Sequence, residues 1–144
     1  MKLSLIFTSI AVLFTSVHAQ LTVSFDPRYD DPNQSLTTVA CSDGSNGLIT
    51  RGFTTFGSLP HFPLIGGGPA VQGFNSPNCG TCWKLTFVNA QQVPTSINVL
   101  IIDVATPNYN IALEAMNDLT GGQAESLGRV PVTAVQTQAS DCGL

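Results

Sequence analysis

Cys79-Gly80-Thr81-Cys82-Trp83-Lys84-Leu85-Thr86-Phe87 is the stretch on which the reading of the fold turns. A Cys-x-x-Cys pair serves redox chemistry when its first cysteine opens a helix, where the macrodipole lowers the thiol pKa. Here the pair runs instead into Trp83, Leu85 and Phe87 alternating with Lys84 and Thr86, which is the period of a strand. Zinc needs two further ligands, yet beyond residue 19 the sequence holds one histidine, His61, with no partner at ligand spacing. The pair therefore reads as structural, and neither a metal nor another cofactor is expected.

Working outward, Cys41 and Cys142 bring the cysteine count to four. An even count in a secreted chain reads as two disulfides with three possible pairings. A bridge closing the loop from Cys41 to Cys79 would contribute about 4 kcal/mol on the chain-entropy model. The N-terminus agrees on the compartment. Lys2 precedes an apolar, hydroxyl-bearing run from Leu3 to Val17, and Val17-His18-Ala19 matches a signal-peptidase site. That run is shorter than the roughly 20 apolar residues of a membrane span. Residues 1–19 are expected to be a signal peptide and residues 20–144 a single secreted domain without a membrane span.

Without Lys2 the chain keeps Arg28, Arg51, Lys84 and Arg129 against nine acidic residues, a net charge of −5 with histidine neutral. Nucleic acid and anionic membranes are poor partners for such a chain, because both need a basic patch. With only 10% charged residues, much of the surface is Asn, Gln, Ser, Thr and Gly, which suits neutral partners such as sugars.

Strand-like alternation recurs in 21–25, 35–41, 82–88 and 129–136, and the apolar run 97–102 is expected to be a strand buried on both faces. A helix is expected over 110–119, with Ala112, Ala115, Met116 and Leu119 on one side, Asn108 or Asn110 as cap and Gly121-Gly122 as stop. A second short helix is expected over 46–51. Many short strands with little helix point to a closed β-barrel.

Hydrolytic chemistry finds few candidates. No Gly-x-Ser-x-Gly elbow occurs, and His61 lies between Pro60 and Pro63 in a rigid loop. Asp103 follows the apolar run where a barrel strand would emerge at its rim, able to bond a sugar hydroxyl or donate a proton. Glycoside hydrolysis needs a second carboxylate about 5 to 9.5 Å away, for which Asp43 and Asp26 are the candidates. Asp43 lies in the small polar loop Ser42-Asp43-Gly44-Ser45-Asn46. Arg51 is expected in a surface ion pair and Trp83 in the core. Phe53, Phe56, Phe62 and Phe74 are the loop aromatics from which a sugar-stacking platform would be drawn. Asn33-Gln34-Ser35 fits an N-glycosylation sequon.

Several segments together resemble one family, the cerato-platanins. They are Val23-Ser24-Phe25-Asp26, Val39-Ala40-Cys41-Ser42-Asp43-Gly44 through Gly47-Leu48, and Phe62-Pro63 followed by Ile65-Gly66-Gly67. Asn75-Ser76-Pro77-Asn78-Cys79-Gly80-Thr81-Cys82-Trp83-Lys84, Tyr109-Asn110-Ile111, Gly128-Arg129-Val130 and the Cys142 tail complete the likeness. The resemblance implies a mainly β fold with short helices, a six-stranded double-psi β-barrel related to expansins, barwin and family 45 glycoside hydrolases. It implies disulfides Cys41–Cys79 and Cys82–Cys142. Its functional implications are binding of chitin-derived N-acetylglucosamine oligomers, expansin-like loosening of cellulose, elicitation of plant defence and self-assembly at interfaces, without established hydrolase activity. Asp103 and Asn110 match the family's binding residues, and Ser42 with Asp43 matches the loop beside the groove; Gly44 and Asn75 complete the candidate set. Phe25 and Phe74 stand where relatives often carry tyrosine and tryptophan, and 89–96 is expected to enlarge a hairpin.

The expected function is thus non-catalytic binding of chitin or glucan oligosaccharides, with a plant cell-surface receptor as a further partner. The rivals are a weak glycoside hydrolase using Asp103 and a surface-active self-assembling protein.

Overall fold

The computed structural model describes residues 20–144; the expected signal peptide, residues 1–19, lies outside them. Seven strands form one sheet: β1 (Thr22–Phe25), β2 (Ile65–Gly68), β3 (Cys82–Val88), β4 (Pro94–Val104), β5 (Tyr109–Ile111), β6 (Arg129–Pro131) and β7 (Thr133–Thr137). Their order is β6-β1-β5-β2-β4-β3-β7. Two pairs, β1 with β5 and β2 with β4, are parallel. Helices α1 (Leu113–Thr120) and α2 (Ala124–Leu127) join β5 to β6.

The Cys-x-x-Cys stretch does run into a strand. β3 pairs with β4 from Cys82–Leu100 to Val88–Pro94, and the turn is closed by Asn89, whose Oδ1 accepts from the N–H groups of Gln91 and Val93. In β4, Val99, Leu100, Ile101 and Ile102 have no exposed surface, as an apolar run buried on both faces requires. Both bridges form as the resemblance implied, Cys41–Cys79 and Cys82–Cys142. β2 is wholly buried, and its glycines are a packing requirement. A Cβ on Gly66 would sit 2.5 Å from the Asn110 carbonyl oxygen and 2.6 Å from Ile111 Cα, so only glycine lets β5 come this close.

Four expectations need correction. The sheet has seven strands rather than six and its end strands, β6 and β7, do not pair with each other, so the ladder is not a closed barrel. Val132 follows on in the β1 register, donating to the Leu21 carbonyl at 3.0 Å, and the chain then passes directly into β7. The single alternating run of 129–136 serves two neighbours in succession, as β6 on β1 and β7 on β3. Segment 35–41 is not a strand. Ser35 caps a 3-10 turn over Leu36–Thr38 by accepting from Thr37 N–H, and Thr38 Oγ1 donates back to the Ser35 carbonyl; such local bonds outcompete a ladder. Residues 46–51 form turns rather than a helix.

The fourth correction concerns the main helix. It begins at Leu113 because Asn110 is committed to β5. Its first N–H groups are satisfied from outside the segment, Leu113 N–H by Asp30 Oδ2 at 2.7 Å and Glu114 N–H by Asp30 Oδ1 at 2.9 Å. Its stop is as expected, with Gly121 in the left-handed region at φ 67°.

Candidate functional site

The strand register builds a transverse row of polar residues. Arg129 in β6 lies opposite Ser24 in β1, Ser24 opposite Asn110 in β5, Asn110 opposite Gly67 in β2, and Gly67 opposite Asp103 in β4. Cross-strand partners share a face, so the row runs over five strands. At about 4.8 Å per strand, Asn110 and Asp103 stand roughly 10 Å apart across Gly67. Gly67 is the gap in the row; a Cβ there would come 2.9 Å from the Val104 carbonyl oxygen.

At one end, Arg129 donates from Nη1 to Thr22 Oγ1 and from Nη2 to Ser24 Oγ, each at 2.8 Å. Ser24 Oγ donates in turn to Asn110 Oδ1 at 3.1 Å. The side-chain N–H groups of Asn110 have no protein acceptor among the described residues. Asn110 borders an open cleft of about 330 Å³, walled by the 105–110 turn and Arg129. A larger hollow of about 400 Å³ lies on the outer face of β3 and β4, lined by Lys84, Asn98 and Asp141. It holds none of the sequence-predicted site residues.

At the other end, Asp103 is saturated. Its Oδ2 accepts from Arg28 Nη2 at 2.7 Å and Tyr29 OH at 3.1 Å, and its Oδ1 from the backbone N–H groups of Ala40 at 3.0 Å and Val104 at 2.9 Å. A carboxylate has about four lone-pair sites, and all four are taken. Asp26, one of the two candidate second carboxylates, faces the same guanidinium, with Oδ2 3.8 Å from Arg28 Nε. Arg28 thus stands between the two carboxylates.

Tyr29 is buried against this group, and its hydroxyl pKa is pushed up to about 12, chiefly by burial and then by the Asp103 carboxylate. Burial likewise pushes the Tyr109 hydroxyl up to about 12. Both folded values exceed the unfolded value of about 10, so the folded chain holds these protons longer than the unfolded chain. Their contribution to stability is complete below pH 10 and is lost as pH rises toward 12. Each tyrosine is expected to remove about 1.4 kcal/mol per pH unit in that window. Urea midpoints measured from pH 9 to 12 check this: Tyr29→Phe should roughly halve the slope, and an unchanged slope would contradict the assignment.

The remaining predicted residues form a second cluster. Asp43 Oδ1 accepts from Gly44 N–H at 2.9 Å and Thr50 Oγ1 at 3.3 Å. Asn75, at φ 57°, accepts from Asn46 N–H through Oδ1 at 2.8 Å and from Asn46 Nδ2 through its carbonyl at 3.0 Å. Ser42, next in sequence to Asp43, is buried. Ala40 joins the cluster to Asp103, since its N–H donates to Asp103 while its carbonyl accepts from Asn75 N–H at 3.3 Å. Ser42, Asp43, Gly44 and Asn75 are therefore brought together and tied to Asp103, whereas Asn110 stands across Gly67 with Ser24 and Arg129.

Other expectations resolve individually. Arg51 donates to the Cys79 carbonyl at 3.4 Å instead of pairing with a carboxylate. His61 Nε2–H donates to the Asn98 carbonyl at 3.0 Å. Trp83 is only partly buried, and its indole N–H donates to Thr81 Oγ1. Among the loop aromatics Phe56 is fully buried and Phe74 is 67% exposed. Arg28, Tyr29, Ser24 and Arg129 were not singled out from sequence. The signal for the two arginines was their rarity, since each is one of four cations left in an acidic chain.

Comparisons place the chain. A protein of Arthroderma benhamiae described as a homolog of the allergen Asp f 15 is 50% identical over 128 residues, which is 89% of this chain but only 60% of that protein. Cerato-platanin 1 from M. perniciosa superposes with a TM-score of 0.82 at 44% identity, covering 85% of this chain and 98% of that one. The fungal elicitor cerato-platanin, solved in solution, gives 0.74 at 36% identity over 85% and 96%. The family model described as Cerato-platanin matches residues 21–144, and with a mainly β fold, two disulfides and these likenesses the chain belongs to the cerato-platanin family.

Proposed function

We propose that this protein is a secreted, non-catalytic binder of neutral oligosaccharides, with chitin-derived N-acetylglucosamine oligomers as the leading ligand and glucan chains as the alternative. The observation that carries the reading is the polar row beside an open cleft, with Asn110 offering unpaired amide donors at its centre. Neutral hydroxyls and acetamido groups suit such donors, while the net charge of −5 disfavours polyanions. Secretion rests on the N-terminal run and on a family match that begins at residue 21. The loop bearing Ser42, Asp43, Gly44 and Asn75 supplies a further lip, and Asp103 acts by fixing Ala40 and Arg28 rather than by touching a proton in flight.

This arrangement also disfavours the hydrolase alternative. A general acid must present a protonated oxygen to the glycosidic bond, and every acceptor site of Asp103 is already occupied. Loosening of cellulose and elicitation of plant defence through a receptor would follow from such binding, by competition for inter-chain hydrogen bonds and by presentation of the bound glycan. A second reading, assembly at interfaces, is favoured by the exposure of Phe74, Val88, Val93 and Val135.

Titration with N-acetylglucosamine oligomers, followed residue by residue by NMR with reducing ends assayed in parallel, tests the reading. Shifts should cluster at Ser24, Asn110 and the 105–108 turn without new reducing ends. Asn110→Ala should weaken binding roughly tenfold, the worth of one or two buried hydrogen bonds. Full affinity in that variant, or release of reducing ends by the wild type, would overturn it.

A further inference from the structure

Arg129 differs from the other cation near the row in one respect: nothing neutralises it. Arg28 is held by Asp103 at 2.7 Å with Asp26 beside it. Among the described residues no carboxylate lies within salt-bridge distance of Arg129, although the chain carries nine acidic side chains. Two neutral hydroxyls, Thr22 Oγ1 and Ser24 Oγ, fix it instead. These take two of the five guanidinium N–H donors, so three remain, already oriented. The cleft that Arg129 borders contains no acidic residue: Thr106, Asn108 and Asn110 supply its polar lining. A guanidinium immobilised by uncharged acceptors keeps its full charge for a ligand and has already lost the side-chain freedom that binding would otherwise cost.

We propose that the Arg129 end of the cleft is a carboxylate subsite that seats a single hexuronate unit within an otherwise neutral oligosaccharide. The inference rests on the saccharide reading above and adds to it the charge of one sugar. A carboxylate matches the planar fork of arginine. One unpaired cation balances one anion, whereas a polyuronate or a phosphate-rich polymer would meet the repulsion of a chain with net charge −5.

The test compares a xylo-oligosaccharide bearing one glucuronate with the unsubstituted chain of the same backbone length, by calorimetry on the secreted protein, with N-acetylglucosamine oligomers as a third ligand. The wild type should bind the acidic ligand roughly fivefold more tightly than its neutral counterpart, a preference that shrinks as salt is raised. In Arg129→Gln the ratio should fall to about one, whatever becomes of the neutral affinity, and Arg129→Lys should retain part of it. Equal affinities in the wild type, or a preference that survives Arg129→Gln, would overturn the subsite. Neutral ligands that bind without any acidic preference sink the subsite alone, while failure of all three ligands to bind sinks both it and the saccharide reading. The wild-type comparison requires no variant, so an Arg129 substitution that unfolded the protein would leave the test intact.

Discussion

Asp103→Ala is expected to destabilise the protein by about 3 kcal/mol, enough to lower its melting temperature by roughly 10 °C. The loss comes from the donors it leaves behind. Tyr29 is 2% exposed and its hydroxyl donates to Asp103; the Ala40 N–H is also shielded and has no second acceptor. Each uncompensated buried donor costs about 1 to 3 kcal/mol. The Arg28 pair adds little, because that side chain is 46% exposed and exposed ion pairs contribute up to about 1 kcal/mol. Asp103→Asn keeps an acceptor for Ala40 and Val104 and should cost about half as much. Thermal and urea unfolding of the two variants decide the matter. An alanine variant within 1 kcal/mol of wild type would show that water replaces the carboxylate without penalty. Loss of sugar binding in Asp103→Ala is therefore no measure of sugar contact, because the site itself loosens; Asn110 is the cleaner probe.

The second large effect is expected from the double substitution Cys41→Ala with Cys79→Ala. The bridge spans a sequence separation of 38 residues, and loop-closure entropy assigns it about 4 kcal/mol, a large share of the 5–15 kcal/mol that holds a typical domain. Its position adds a local consequence. Cys41 precedes Ser42 and Asp43, and Cys79 follows the loop of Asn75, so the bridge ties together the two halves of the lip, which are otherwise joined by the hydrogen bonds of Asn75 with Asn46, Ser45 and Ala40. The variant should unfold at a much lower denaturant concentration and show amide exchange in 42–46 and 73–76 that is faster than elsewhere. A uniform change in exchange, or a stability loss below 1 kcal/mol, would show that the hydrogen bonds alone hold the lip.

Legibility in the sequence followed the range of the forces involved. Strands whose signal is burial, such as the runs 82–88 and 97–102, were readable because alternation and continuous apolarity are local patterns. The segment 35–41 was misread because Ser35 and Thr38 satisfy its backbone from their own side chains, which hydrophobic alternation does not register. The helix start was misplaced because its cap, Asp30, lies 83 residues away from Leu113. The same limit governed the site. Asp103 and Asn110 could be picked out by position and resemblance, but the arginine that occupies the one and the serine that holds the other reach them from β1 and its neighbours, across more than 70 residues.

The undivided passage from β6 through Val132 to β7 sets the order in which the chain can become folded. β3 and β4 are neighbours in sequence and can pair as soon as both have been synthesised. β1 waits for partners at Tyr109–Ile111 and Arg129–Pro131, so the first strand made is among the last to be satisfied. Contacts of such separation slow folding. β1 therefore has nowhere to go until residues 109–131 have been made, and a truncation that removes residues beyond 128 would leave β1 short of one partner and β3 short of another at a single stroke.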